Sequence, residues 1–399
     1  MKSYKALYRL GPGPSSSHTL GPQRAAKLFK ENFPDADHYE VDLYGSLSLT
    51  GKGHLTDYII IETMKPKACY VHFLNEANPT HANTMVLKAC DSVGSVIDSW
   101  TVYSVGGGAI KIEGHENDEE IEVYHHQSLK EIRAFCEGRC IRLAEYTDCF
   151  EEHDDFIERI LDQMMNTVEE GLSREGVLPG RLQLQRVAKP LYEKSVGESD
   201  PLRFQKSRII AYAYAAAEQN ASGGMMVTAP TLGASGVLPA VVRYYYVDQK
   251  VERERIVAGL KIASIIGNLI KSNATISGAQ GGCQAEIGAA CAMASAFVAH
   301  INGLDDAQIE YAAEIGMEHF LGLTCDPVGG YVMIPCIERN SVAALRAMDA
   351  ALIAESVGSI KENRVSFDMV VNTMKYTGSK LAVELKETSL GGLATVVEC

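Results

Sequence analysis

No GxGxxG turn and no P-loop lysine pattern occurs in the 399 residues, so nothing in the chain points to a bound nucleotide. Positive charge is in deficit. The 37 Lys and Arg face 51 Asp and Glu, and the net charge of −14 disfavours nucleic acid or an anionic membrane as a partner. No basic segment leads into an apolar stretch with a cleavage site, and a cytoplasmic protein is the expectation. The longest uncharged stretch, residues 287–304, is rich in Gly and Ala and carries His300 and Asn302. Its weak hydrophobicity predicts a buried core helix rather than a membrane span. Internal repeats and low-complexity segments are lacking as well.

Apolar residues make up 46% of the chain and charged ones 22%, as in ordinary globular proteins. The length exceeds one usual core, which predicts two domains, over 1–150 and 151–399. In the first, strand patterns lie at 39–44, 58–63, 68–73, 95–105 and 120–124, with helices near 23–32 and 82–89. The acidic stretch 113–122 reads as a solvated turn or edge. Beyond Ser128 the periodicity is helical, at 128–135 and 154–172, with breaks at Pro179-Gly180 and 197–200. Helices follow at 204–217, 238–247, 254–270, 286–301, 307–320, 341–354 and 368–376, joined by glycine-rich loops. The fold class expected is therefore α+β. A small N-terminal α/β domain with a mostly antiparallel sheet precedes a larger all-helical domain.

Ten cysteines in a chain expected to be cytoplasmic do not form a disulfide framework. Cys136 and Cys140 could share a helix face, but no histidine or second cysteine pair nearby completes a zinc pattern. They read as core residues, as do Cys69, Cys90, Cys149 and Cys291. Cys283, Cys325 and Cys336 differ. Their flanks, GAQGGCQAEIG, GLTCDPVGG and VMIPCIERN, set each thiol beside Gly or Pro residues that interrupt a helix. Such loops let backbone and thiolates wrap a bulky inorganic group. Three thiolates leave one corner of a four-iron cluster open, and an open iron is a Lewis acid. The last residue is also a cysteine, Cys399, reached through TSLGGLA (388–394), whose glycines allow the tail to fold inward.

Two loops carry histidines. GPGPSSSHTLGP (11–22) gathers Ser15, Ser16, Ser17, His18 and Thr19 ahead of a helix start. Clustered hydroxyls and free backbone N–H groups there suit a carboxylate or phosphate; equally, they make an elaborate cap. YGSLSLTGKGHLTD (44–57) places His54 after Gly51 and Gly53, with Ser46 and Ser48 upstream, and an imidazole there can serve as a base near neutral pH. Lys52 beside a glycine is too weak a pattern for a Schiff-base lysine, so no pyridoxal phosphate is expected. TAPTLGASG (228–236) and NATISGAQGG (273–282), the latter with Asn273 and Ser277, can grip a polar substrate or simply cap helices. His319, six residues before Cys325, leaves a zinc hydrolase open on spacing alone.

Together these segments resemble the iron–sulfur-dependent L-serine dehydratases (L-serine ammonia-lyases) of bacteria. GPSSSHTLGP, YGSLSLTGKGH, YSVGGG (103–108), EGVLPG (175–180), the TAPTLGASG segment, the GCQ loop, EIGMEH, GLTCDP and PCIERN follow one another in the family's order, nearly end to end. The resemblance implies a [4Fe-4S] cluster on Cys283, Cys325 and Cys336, with Cys399 able to cap the fourth iron. It also implies His54 as catalytic base and His18 beside it. Ser15, Ser16, Ser17, Thr19, Ser46, Asn273 and Ser277 would contact substrate. The reaction implied is β-elimination of water from L-serine, giving pyruvate and ammonia. The partner is a small amino acid, and the assembly a homodimer. The N-terminal domain is similar to the substrate-sensing domain of a serine-pathway dehydrogenase. The chain departs from the family at Gln280-Gly281, where Glu-Val is expected, and at Leu232, Phe320 and Tyr331, positions that often carry other, frequently polar residues. If these line the pocket, a bulkier or less polar substrate is implied, so a lyase for L-threonine or L-cysteine stays in view. A non-enzymic iron–sulfur sensor is the alternative from another class.

Overall fold

Residues 84–90, TMVLKAC, bury Met85, Leu87 and Ala89 on one face and leave Val86 and Lys88 less buried on the other, and they form the middle strand of a sheet. A computed structural model describes residues 1–74, 80–115, 122–152 and 154–397. Its strands are β1 (Leu10–Pro12), β2 (His38–Leu43), β3 (Ala68–Phe73), β4 (Thr84–Cys90), β5 (Val96–Gly106), β6 (Ala109–Ile112) and β7 (Met225–Val227). Five of them make one sheet in the order β3-β2-β4-β5-β6; β2 and β3 run parallel and the other pairs antiparallel. Helices Gly21–Asn32 and Thr56–Met64 lie on one face, over a core that includes Phe29, Val41, Leu43, Ile60, Met85, Leu87 and Val102.

Two expectations for this region are corrected. The segment 82–89 is not a helix; from Thr84 on it belongs to β4, because its apolar side chains alternate at period two toward one face. Residues 58–63 are helical, not extended, despite the Ile59-Ile60-Ile61 run. A parallel β2–β3 pair needs a crossover, and a helix is what supplies it; topology overrides β-branched propensity here. The 120–124 strand and the 113–122 acidic stretch lie partly outside the described residues. Within them, Lys2 and Glu122 form an isolated bridge.

The remainder is helical and built around Ile287–Ile301, nearly all of whose residues are buried. Helices Arg253–Asn273, Asp306–Glu318 and Cys336–Gly358 pack around it. Residues Cys283–Ile301 are long and apolar enough to cross a membrane, but 89% of that window is buried by protein, which is how a core helix looks. Small residues at Ala289, Ala292, Ala296 and Ala299 let the neighbouring helices approach closely. The part read as all-helical contains one strand among the described residues: β7 pairs antiparallel with β1, Leu10 facing Val227. That pairing clamps the N-terminal segment onto the helices and fixes where the serine–histidine loop begins.

Candidate active site

The serine–histidine loop is a single wide helical turn, Ser16–Leu20. Ser15 caps it, its Oγ accepting from His18 N at 3.2 Å. His18 is fully buried, and its Nε2 lies 3.0 Å from Ser46 Oγ. The single Ser46 proton goes to the Glu387 carbonyl at 2.6 Å. Ser46 therefore accepts from His18, which places the ring proton on Nε2 and leaves Nδ1 to accept from Ser17 Oγ at 2.8 Å.

His54 follows the short helix Ser46–Thr50. Gly45 starts that helix at φ +56, where a Cβ would strike the Ala82 carbonyl at 2.4 Å. Gly53 allows a close approach of the kind its sequence context foretold: a Cβ there would sit 2.5 Å from the Gly330 carbonyl, in the loop after Cys325. His54 Nδ1 is 2.9 Å from the Thr50 carbonyl and must donate to it, so Nε2 is the basic nitrogen. Thr19 Oγ1 donates to the His54 carbonyl (2.7 Å) and Thr56 Oγ1 to that of His18 (2.6 Å), holding the rings 4.4 Å apart. Burial lowers the His18 pKa to about 4. Burial and then the neighbouring His18 hold His54 well below the usual value. Both imidazoles are neutral at neutral pH.

The three cysteines face the same place. Ser15, His54, Gly233, Cys283, Glu286, Cys325, Cys336 and Glu387 line one small cavity. Gln284 ties two of the cysteine loops together, accepting from Gly322 N at 2.9 Å and donating to the Gly281 and Met374 carbonyls. Cys336 is not in a loop, as its Pro-rich flank predicted, but is the first residue of the Cys336–Gly358 helix. A helix start favours a thiolate there. Arg339, one turn on, donates to the Thr324 carbonyl (2.7 Å), and its charge acts on the Cys283 thiol.

Glu387 was not foreseen from the sequence. It reaches the cavity on a C-terminal strap that runs beside the Cys325 loop. Cys325 N donates to the Leu385 carbonyl (2.8 Å) and Glu387 N to the Cys325 carbonyl (2.6 Å). Ser389 Oγ donates to the Pro327 carbonyl and Leu393 N to Asp326 Oδ2. Glu387 sits at φ +58, a left-handed conformation uncommon outside glycine. Its Oε1 is 3.4 Å from His18 Nδ1 and 4.0 Å from His54 Nε2. Glu286, also unforeseen, faces the same cavity. Burial pushes both carboxyl pKa values up, and proximity to Glu387 adds to the effect on Glu286. The one sequence signal for this strap is its TSLGGLA segment, which marks a tight turn but not which residue the turn presents.

Other predicted residues fall elsewhere. Ser277 is buried near the cavity with a hydroxyl that has no partner. Thr19 and Ser46 act on the histidines rather than on the cavity. Asn273 does not reach the site; it ends the Arg253–Asn273 helix and donates to the Gln127 carbonyl at 2.7 Å. His319 bonds the carbonyl one turn back, and its half-exposed ring is not in the cavity wall. Leu232, Gln280, Gly281, Phe320 and Tyr331 are not among the residues lining that cavity. Gln280 is exposed, Phe320 packs against the helical core, and Tyr331 stacks over Gly180. Cys399 lies outside the described residues.

Residues 3–69 match a family model described as Serine dehydratase beta chain, and residues 70–394 one described as Serine dehydratase alpha chain. The chain belongs to the serine dehydratase family. L-serine dehydratase from Streptomyces coelicolor is 39% identical, and L-serine dehydratase TdcG from Escherichia coli 40%; each alignment covers 98% of both chains. L-serine dehydratase from Helicobacter pylori is 37% identical over the full length of this chain. Within this serine dehydratase, both histidines fall in the beta-type segment and all three cysteines in the alpha-type segment. One polypeptide carries both, and the cavity forms where they meet.

The donor set is a test of what the family would place there. Three soft sulfur ligands suit zinc or an iron–sulfur cluster. Burial raises the Cys283 thiol to about 11 and the Cys325 and Cys336 thiols further, so only a cation between them makes thiolates of all three. A lone tetrahedral zinc, with Zn–S near 2.3 Å, draws its sulfurs to about 3.8 Å from one another. Among the described residues, the groups whose donor atoms converge within 4.8 Å are His18–His54–Glu387 and His38–Glu40–Cys90. The three cysteines are not such a group, so their sulfurs stand farther apart than a lone zinc would draw them.

Proposed function

We propose that this chain is an L-serine ammonia-lyase that eliminates water from L-serine in the cavity between His54 and the three cysteines. The observation that carries this reading is the His54 tautomer: its basic Nε2 belongs to a ring in the wall of the same cavity as Cys283, Cys325 and Cys336. Those three residues would hold a [4Fe-4S] cluster, which when bound supplies Lewis acidity toward the departing hydroxyl. His54, neutral because it is buried, takes the Cα proton at Nε2. The imidazolium so formed faces the Glu387 carboxyl, and charge on that group stabilises it. His18, locked between Ser17 and Ser46, keeps the His54 ring in register and excludes water from behind it. The product aminoacrylate tautomerises and hydrolyses to pyruvate and ammonia without further help.

The same reading includes an oxygen-sensitive, cytoplasmic homodimer serving amino-acid degradation, supported by the resemblance alone. Iron and acid-labile sulfide are to be measured on anaerobically purified protein, together with keto-acid release from L-serine, L-threonine and L-cysteine. Iron with sulfide and fastest release from L-serine is the expected result. Zinc without sulfide, or a cluster without turnover, would refute it.

A further inference from the structure

Recognition of a substrate needs polar atoms that the fold has not already engaged. The serine loop has few to offer. Ser16 Oγ accepts from Leu232 N at 2.7 Å, Ser17 Oγ meets His18 Nδ1, and Ser15 Oγ accepts from His18 N. Among the described residues, Asn83, with neither amide atom engaged, Ser104 and Ser277 are buried near that loop without a hydrogen-bond partner. Asn83 and Ser104 are fully buried, and Ser277 is 2% exposed.

Backbone geometry brings these side chains together. Ser104 N donates to the Asn83 carbonyl at 2.9 Å, where β4 and β5 begin to part. Asn83 stands two residues before Met85 and Ser104 two after Val102, both in the core beneath the helices, so period two sets all four on that inner face. A Cβ on Gly21 would lie 2.5 Å from Ser104 Oγ, so this hydroxyl touches the helix start that follows the serine–histidine loop. A Cβ on Gly106 would lie 3.3 Å from Ser277 Cβ, which brings the loop before Cys283 to the end of the same strand. On the other side, Ser46 N donates to the Ala82 carbonyl at 2.8 Å, so Asn83 adjoins the element holding His18 in place. Ser277 in turn precedes Gly278, where a Cβ would come within 3.3 Å of both Cys325 Sγ and Glu387 Oε2.

Native folds seldom leave a desolvated amide wholly unpaired, and such groups collect where a ligand completes them. We propose that Asn83, with Ser277 and Ser104, forms the subsite for the headgroup of an α-amino-acid substrate. Asn83 Nδ2 and the two hydroxyls donate to the α-carboxylate, and Asn83 Oδ1 accepts from the α-ammonium. An amide with both ends free matches a zwitterion, which presents an acceptor and a donor on adjacent atoms. This assignment rests on the reading of the cysteine cavity as a lyase site.

The test uses anaerobically prepared, cluster-loaded full-length protein carrying Asn83→Leu, Asn83→Asp or Ser277→Ala. In each, KM for L-serine should rise about 10- to 100-fold, the range for a lost hydrogen bond to a charged group, while kcat changes far less and iron and sulfide per chain stay constant. Asn83→Asp should be the most damaging, since it sets a carboxylate against the substrate's own. Competitive inhibition by 3-hydroxypropanoate, which keeps the carboxylate and loses the ammonium, should weaken in Asn83→Asp as well. Asn83→Leu should unfold at or above the wild-type temperature without substrate, because an apolar isostere replaces an amide with no partner in the free protein. A KM within twofold of wild type in Asn83→Leu overturns the proposal. So does a fall in its Tm with KM unchanged, which would make the amide structural. Should Asn83→Leu not accumulate, the KM values of Asn83→Asp and Ser277→Ala decide by the same criterion. Wild-type protein that turns over no hydroxy- or thio-amino acid defeats the lyase reading instead, a result distinct from unchanged variants of an active enzyme.

Discussion

His54 Nδ1 donates to the Thr50 carbonyl at 2.9 Å, four residues back along its own segment, and this one bond decides which ring nitrogen is basic. A carbonyl cannot donate, so the proton on Nδ1 is fixed by the backbone and Nε2 keeps its lone pair.

Replacing His54 by alanine removes that lone pair without touching a sulfur ligand. Turnover of L-serine should fall by about 10²- to 10⁴-fold, the usual worth of a positioned base, while iron and sulfide content stay at the wild-type level. Near-normal turnover in this variant would place the base elsewhere.

Alanine at Cys283, Cys325 or Cys336 should each remove the brown colour, the bound iron and the activity together. The three differ in surroundings: Cys283 feels the Arg339 charge, Cys336 opens a helix, and Cys325 is bonded to the strap. Retention of cluster and turnover in any one of the alanine variants would remove that residue from the ligand set.

His18 gives a pH dependence whose sign is fixed. Burial holds its folded pKa at about 4, against about 6.5 in the unfolded chain. Between those values the unfolded chain binds more protons, so the contribution is complete above pH 6.5 and is lost as the pH falls toward 4. It amounts to about 3 kcal/mol at most. The raised pKa values of Glu286 and Glu387 act in the opposite sense. The informative quantity is therefore the difference between wild type and His18→Gln in urea unfolding at pH 7 and pH 4.5. The variant should lose less stability than wild type on acidification; an equal loss would contradict the assignment.

Gly392 anchors the strap at φ +61, with no room for a side chain: a Cβ would meet the Asp326 carboxylate, which accepts from Leu393 N. Gly392→Ala should loosen the strap by about 1 kcal/mol or more. The expected readout is faster loss of iron to a chelator, with the unfolding temperature of the rest of the chain little changed. Unaltered iron release would show that the strap does not guard the cavity.

The cysteines and both histidine loops were legible in the sequence because each stands in a short segment punctuated by Gly or Pro, where the local chemistry is visible. The helical core was legible for a different reason, since long 3.6-residue periods leave little ambiguity. What escaped was non-local. Glu387 matters only because it bonds Cys325, 62 residues back, and lies against His18, 369 residues back. Asn83 is ordinary in sequence and becomes unusual once burial strips it of partners. The segment 82–89 misled because a short apolar run fits either period, and only its place between β2 and β5 decides. Asn273 shared a glycine-rich loop with Ser277, but the loop turns between them and sends the two side chains to different places.

The strap also sets an order of events during synthesis. Glu387, which closes the chamber from the strap, is made after Cys283, Cys325 and Cys336. The chamber therefore closes only once all three sulfur residues are in the chain.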